Sequence, residues 1–347
     1  MELKELKIGN LTAKLPIIQG GMGVGVSLSN LASAVANEGG IGTISGVQIG
    51  FREPDFLTNP VEANLRAIGT EIRKAREKTK GIIAMNLMTA MNNYELYVKK
   101  AVEEKIDLIV SGAGLPLVLP KLVKDSATKI APIVSSAKAA RIIIKSWLKH
   151  DRLPDAVIVE GPLAGGHLGF KMDDLVEDKC MKLKDIVVEV KQLIATYEEE
   201  YNVKIPVIAA GGIRTKEDIL ELAAAGADGF QLSSVFVPTV ECDAHENFKL
   251  AYISAKDDDP MLIKSPVGMP ARAIPTNFLI NSINKGCIVS KCFKCMPNCD
   301  PLNIPYCISK GLIDSVQGRD GLIFSGAKLG TINKMTTVKD VIKNLID

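Results

Sequence analysis

The sequence predicts an α/β fold, a (β/α)8 TIM barrel with insertions and a C-terminal extension packed on the barrel. Three observations predict it. Eight short apolar, mostly β-branched runs recur between residues 16 and 232, and helix-like segments separate most of them. The runs read apolar on both faces, as strands of a buried parallel sheet do. Glycine-rich turns follow several of them, including Gly211-Gly212 after the seventh. A chain of 347 residues is long enough for one barrel of roughly 250 residues with additions. An open doubly wound sheet is the alternative for such alternation, and the count of eight favours closure.

The first strand is read at residues 16–18, followed by a helix over 28–38 and a strand at 41–44. A loop over 46–59 leads to a charged helix over 61–78, a strand at 82–85 and a helix over 93–105. Strands follow at 107–110 and 130–134, then a helix over 137–150 and strands at 156–159, 205–209 and 229–232. Thr215 and Asp218 have the spacing of a capping box at the start of the helix between the last two strands. Residues 1–237 are therefore assigned to the barrel core, and 238–347 to an insertion and C-terminal segment. In that segment 257–260 reads as a turn, 265–270 as a glycine/proline loop, and 277–285 and 337–345 as short helices.

Composition narrows the function classes. Hydrophobic residues at 47% and charged residues at 24% suit a globular chain. A net charge of +2 offers no broad basic footprint, which argues against nucleic acid and anionic membranes as partners. The N-terminus is charged, without a secretory apolar stretch, and no window approaches about 18 continuous apolar residues. The expected location is cytoplasmic. Oligomerisation stays open.

Chemistry concentrates at strand ends. Ala164-Gly165-Gly166-His167-Leu168-Gly169 follows strand six and holds an imidazole between glycines, which let a backbone approach a ligand closely. Gly211 and Gly212 follow strand seven, and Ser233 and Ser234 follow strand eight. Loops after these two strands often form the phosphate site of such a barrel, together with a helix N-terminus. Gln19-Gly20-Gly21-Met22-Gly23-Val24-Gly25 contains a G-x-G pair, but no acidic residue ends the next strand, so no dinucleotide fingerprint is assigned. In a barrel the same loop can lie flat against a ring system, with Asn86 supplying an amide.

Together these motifs resemble the nitronate monooxygenase family, formerly the 2-nitropropane dioxygenases, which includes flavin-dependent enoyl-ACP reductases. The matching blocks are 16–22, 160–169, 210–213 and 264–268, within a resemblance running from about residue 15 to 273. The resemblance implies a TIM barrel holding FMN non-covalently, with Gln19, Gly20, Gly21 and Met22 on the loop beside the isoalloxazine ring. It further implies Asn86, Glu160, Gly165, Gly166 and Gln231 near the flavin, and Gly211, Gly212, Ser233 and Ser234 at its phosphate. His167 matches the active-site histidine. Many relatives carry Glu where this chain has Leu163, and a Gly-Thr pair where it has Ser233-Ser234.

The activity so implied is oxidation of alkyl nitronates with O2. The alternatives are an NAD(P)H-dependent enoyl-ACP reductase, with acyl carrier protein as candidate partner, and an NAD(P)H:quinone-type flavin reductase. NAD(P)H is a candidate reductant in both. From other classes stand a lyase or isomerase of phosphate-bearing substrates and an FMN- or metal-binding regulatory module.

The C-terminal segment adds Cys287, Cys292, Cys295, Cys299 and Cys307. Four thiolates can hold zinc or an iron–sulfur cluster, and a redox disulfide or plain thiols fit the same residues. The preferred metal quartet is Cys292, Cys295, Cys299 and Cys307, but no metal is assigned.

Overall fold

The computed structural model describes residues 3–286, 289, 292–297 and 299–346. The charged N-terminus opens with a β-hairpin, β1 (Leu6–Ile8) and β2 (Leu11–Ala13), an element absent from the reading above. Its turn holds Gly9 at φ 58°, and Leu6, Ile8 and Ala13 are buried while their neighbours face solvent. Alternation around a Gly-Asn turn is the sequence signal for it.

Eight parallel strands then close a barrel: β3 (Ile17–Gln19), β4 (Ile41–Ser45), β5 (Ile82–Met88), β6 (Leu108–Gly112), β7 (Lys129–Val134), β8 (Val157–Glu160), β10 (Val207–Ala210) and β11 (Gly229–Leu232). They follow chain order, and β11 closes on β3 through Phe230↔Ile17 and Leu232↔Gln19. The interior is filled by side chains such as Ile18, Ile41, Ala84, Ala131, Ile158 and Ile208, and Leu6 and Ile8 of the hairpin join this cluster. Outward residues such as Ile17, Ile83, Val157, Val159 and Val207 pack in the cluster formed with the surrounding helices. This alternation explains why the strands read apolar on both faces.

The crossovers carry α1 (Ser29–Asn37), α2 (Pro60–Lys78), α3 (Tyr94–Glu103), α4 (Leu119–Leu122), α5 (Ala137–Trp147), α6 (Met172–Val176), α7 (Leu183–Tyr201) and α8 (Lys216–Ala224). The link from β6 to β7 is thus a single short turn of helix. The capping box at α8 forms as expected, with Thr215 accepting from the Asp218 amide and Asp218 accepting from Thr215.

Beyond β11 come α9 (Glu246–Ser254), the antiparallel strands β12 (Met261–Lys264) and β13 (Pro270–Ile274), α10 (Asn277–Lys285), α11 (Ile308–Val316), β14 (Ile323–Phe324) and α12 (Val338–Ile346). The extension packs on the barrel in two ways. β13 pairs with β9 (Gly166–His167), which belongs to the loop after β8. α12 packs between α1 and α8, in the place of the helix that would follow the eighth strand.

Candidate active site

The C-terminal ends of the barrel strands open into a cleft of about 610 Å³, within the usual range for a small-molecule site. Its floor is the loop after β3. An added Cβ on Gly20 would lie 2.5 Å from Ser233 Oγ, and one on Gly21 would lie 2.3 Å from Asn86 Cβ. Only glycine permits this approach of the floor to its neighbours. Gln19 supports it from beneath. It is wholly buried, accepts from the Thr43 amide at 3.0 Å and donates to Gly20 O, and it does not line the cleft.

The other thirteen residues singled out from the sequence all line this one cleft: Gly20, Gly21, Met22, Asn86, Glu160, Gly165, Gly166, His167, Gly211, Gly212, Gln231, Ser233 and Ser234. The strand register explains part of the convergence. Glu160 ends β8 opposite Ala210, and Gln231 on β11 also stands opposite Ala210. Gly211 and Gly212 then turn with φ of 95° and 86°, conformations that suit glycine. At α8 the amides of Arg214 and Thr215 donate to Asp218. That part of the helix start is therefore satisfied internally, and the expectation of anion binding there passes to the glycine turn and the two serines. Ser234 Oγ accepts from the Gly326 amide at 3.2 Å.

His167 is placed by contacts that sequence order does not reveal. As part of β9 it stands opposite Ala271 of β13. Its Nε2 is 2.9 Å from Ser265 Oγ, and its ring meets Phe324 edge-on at 5.2 Å. The preceding loop is held by Arg272, whose Nη1 donates to Pro162 O and Ala164 O. Ser265 belongs to the 264–268 block, whose sequence assigns it no role, while Arg272 and Phe324 carry no local signal. Both β13 and β14 are far from residue 167 in the chain.

Burial sets the charges. His167 and Glu160 retain some accessible surface inside the cleft, but protein encloses them on most sides. Desolvation pushes the His167 pKa down to about 4 and the Glu160 pKa up to about 7. The site therefore presents a neutral imidazole and a carboxyl poised near neutrality. Several polar atoms on the wall are buried without a partner among the described residues: Ser45 Oγ, Arg214 Nε, Gln231 Oε1 and Ser325 Oγ. Arg214 and Lys328 supply cations to the lining. Unsatisfied buried groups converging on one cavity are what a bound polar ligand would satisfy. The lining also includes the apolar side chains of Met88, Met91, Phe293, Ile308 and Leu312.

Cys287 lies outside the described residues. Cys292, Cys295, Cys299 and Cys307 are free thiols, and Cys295 reaches the cleft wall. No helix among the described residues is long and apolar enough to cross a membrane.

The nitronate monooxygenase family model matches residues 4–347, well beyond the 15–273 expected from motifs. A probable nitronate monooxygenase of Staphylococcus aureus (strain MSSA476) is 24% identical over 294 residues, covering 78% of each chain. The structure of FabK from Thermotoga maritima superposes with a TM-score of 0.73 at 26% identity, covering 96% of this chain and 92% of that one. A nitroalkane oxidase from Streptomyces ansochromogenes shares the fold, with a TM-score of 0.71 at 20% identity over 96% of this chain and 95% of that one. A barrel with this cleft and a family match along nearly its whole length places the chain in the nitronate monooxygenase family of flavoprotein oxidoreductases.

Proposed function

We propose that the protein is an FMN-dependent oxidoreductase that oxidises alkyl nitronates with O2, with His167 as its catalytic residue. The observation that carries this reading is a neutral imidazole hydrogen-bonded to Ser265 in a glycine-floored cleft whose lining also holds unpaired buried polar atoms and the cations Arg214 and Lys328. The residues fit FMN in kind. Gly20 and Gly21, packed against Ser233 and Asn86 with no space for a side chain, offer a backbone surface to a flat ring, with Asn86 and Gln231 to meet its polar edge. Gly211, Gly212, Ser233, Arg214 and Lys328 suit a phosphate. Bound FMN supplies the two-electron redox chemistry.

The protein's part is orientation and hydrogen bonding. Neutral His167 can donate one N–H to a nitronate oxygen or accept a proton from a carbon acid, and Ser265 fixes its ring. Glu160, protonated below about pH 7, can donate a hydrogen bond into the same space. Leu163, half exposed on the lining, removes the carboxylate that many relatives carry and leaves that flank apolar.

The apolar side chains on the lining, Met88, Met91, Phe293, Ile308 and Leu312, favour a second reading, reduction of an enoyl thioester at the expense of NAD(P)H. Anaerobic mixing of FMN-loaded protein with propionate 3-nitronate, alkyl nitronates, NADH or NADPH separates the two. The first reading expects rapid flavin bleaching by nitronates alone. Bleaching only by a nicotinamide, with colour restored by crotonyl thioester, would replace it with the second. His167→Ala is expected to slow turnover by about 10²–10⁴-fold while FMN stays bound. Equal loss of flavin and turnover would instead make His167 a cofactor-holding residue.

A further inference from the structure

Part of the cleft lining is a hydrogen-bonded cluster that the chemistry at His167 does not use. Gln48 in the loop after β4, Asn64 on α2, Tyr97 on α3 and Ser309 on α11 all reach the lining, and none is more than 3% exposed. Asn64 Oδ1 accepts from the Gly50 amide at 2.8 Å. Asn64 Nδ2 donates to Gln48 Oε1 at 2.9 Å and to Tyr97 Oη at 3.1 Å, and Gln48 Nε2 donates to Ser309 Oγ at 3.3 Å. The loop lies tight on α2 at this point: a Cβ on Gly50 would come within 2.4 Å of Ala63 C.

One backbone group fixes the sense of these bonds. A peptide N–H can only donate, so the Asn64 atom facing Gly50 is its oxygen, and the hydrogens of its nitrogen go to Gln48 and Tyr97. Gln48 therefore turns its oxygen to Asn64 and its nitrogen to Ser309, and the Tyr97 oxygen is an acceptor. Asn93 also bonds this phenol and lowers its pKa, as a further donor does. Burial outweighs both amides, and the phenol pKa lies above its ordinary value, so Tyr97 keeps its proton. Among the described residues no hydrogen bond uses that proton. A buried O–H without an acceptor, beside a cavity, carries a penalty that a ligand oxygen would remove.

We propose that Tyr97 is a specificity-determining residue that donates its hydroxyl proton to an uncharged carbonyl oxygen on the tail of the substrate, with Asn64 as the positioning residue that aims it. The proposal rests on the nitronate reading above and adds a second recognised group to that substrate. The cluster is built of neutral side chains, and Pro60, Val61 and Met91 on the same lining are apolar. That setting suits a ketone, ester or amide oxygen on a short aliphatic chain, because burying a carboxylate without a countercharge is costly. Lys294, also on the lining, is exposed. A carboxylate that turned to it would leave Tyr97 unused. A site built to bond a substrate oxygen rejects the analogue that lacks it, since the buried donor is then left unpaired.

The test compares the nitronates of 5-nitro-2-pentanone, 1-nitropentane and 4-nitrobutanoate, chains of matched length that end in a ketone, a hydrocarbon and a carboxylate. FMN-loaded full-length protein is expected to favour the ketone over the hydrocarbon about tenfold in kcat/KM, the worth of one hydrogen bond. Tyr97→Phe should remove that preference. Asn64→Asp should remove it as well, because a carboxylate there accepts the phenol proton and turns it inward. Circular dichroism and FMN content establish that each variant is folded, and Tyr97→Phe decides alone if Asn64→Asp is not. A ketone preference that survives in Tyr97→Phe, with both substrates slowed alike, would make the phenol structural and overturn the proposal. So would a parent protein that prefers the carboxylate to the ketone. If no nitronate bleaches the flavin, the nitronate reading fails on its own, and binding decides the role of Tyr97. The Kd of 2-pentanone, read from the shift in flavin absorbance, should then rise about tenfold in Tyr97→Phe, and an unchanged Kd overturns the proposal.

Discussion

Glu160 and His167 illustrate how one apolar cleft moves an acid and a base in opposite directions. The folded protein keeps the Glu160 proton up to about pH 7, whereas an exposed carboxyl releases it near 4.5. Between those values the folded state binds more protons than the unfolded one, so this group makes stability fall as pH rises. His167 does the reverse. It charges near pH 6.5 when unfolded but only near 4 when folded, so its contribution is lost as pH drops from about 6.5 to 4. The two slopes oppose each other between about pH 4.5 and 6.5. Glu160→Gln should therefore expose the histidine slope, and His167→Ala the carboxyl slope. Each unmasked change is expected to be on the order of 3 kcal/mol across its window. Urea midpoints of flavin-free protein from pH 4 to 8 would show it, and parallel curves for parent and Glu160→Gln would refute it. The same charges predict a kcat/KM profile without the usual histidine inflection near pH 6.5. Any inflection near 7 should vanish in Glu160→Gln. A Cβ at Gly21 tests the floor in turn. With 2.3 Å to Asn86 Cβ, Gly21→Ala should weaken FMN binding at least about tenfold, measured by flavin fluorescence on an otherwise folded protein.

At the level of elements, the loop after β8 is shaped by its pairing with a strand about a hundred residues away. Arg272 lies buried on β13 and closes that pairing through two carbonyls of the loop. Arg272→Leu leaves both carbonyls without their donor and is expected to cost about 2–4 kcal/mol. Turnover should fall further than FMN affinity, because the loop that presents His167 loses its tether. Calorimetry and a kcat against Kd comparison check this, and an unchanged kcat would mean that β13 holds the loop without Arg272. Arg272→Lys should not restore the effect, since a single ammonium does not reproduce the guanidinium fork. Such long-range pairing also marks where sequence reasoning stops. The barrel strands were legible because β-branched runs such as residues 156–159 and 205–209 have no competing helical period. The glycine turns were legible because Gly211 and Gly212 adopt conformations few other residues tolerate. The β1–β2 hairpin went unread because its strands are only three residues each, too short a run of alternation to stand out in the charged N-terminal stretch. Ser265, Arg272 and Phe324 were hidden because each acts across a contact that no local window contains.

On the scale of the whole molecule, the eight-stranded barrel and its cleft depend on chain that returns after leaving it. Between β11 and α12 the chain builds one face of the cleft, with Phe248, Tyr252, Val267, Leu312 and Phe324 on its lining. It then comes back to place α12 between α1 and α8. Val338, Val341, Ile342 and Leu345 are the buried stripe of this helix, spaced to face one side. Burying four such side chains contributes on the order of 6–10 kcal/mol as an upper estimate, comparable to the net stability of a typical domain. Removal of residues 338–347 should therefore leave an insoluble or molten chain, and a chain ending at residue 237 should fail in the same way and bind no FMN. A graded variant keeps the argument open to refutation. Leu345→Ala should fold, lose about 2–5 kcal/mol in urea titration, and keep its FMN affinity, because α12 lies away from the cleft lining. A truncated chain ending at 237 that melts cooperatively and binds flavin would show instead that the barrel is complete without its last helix.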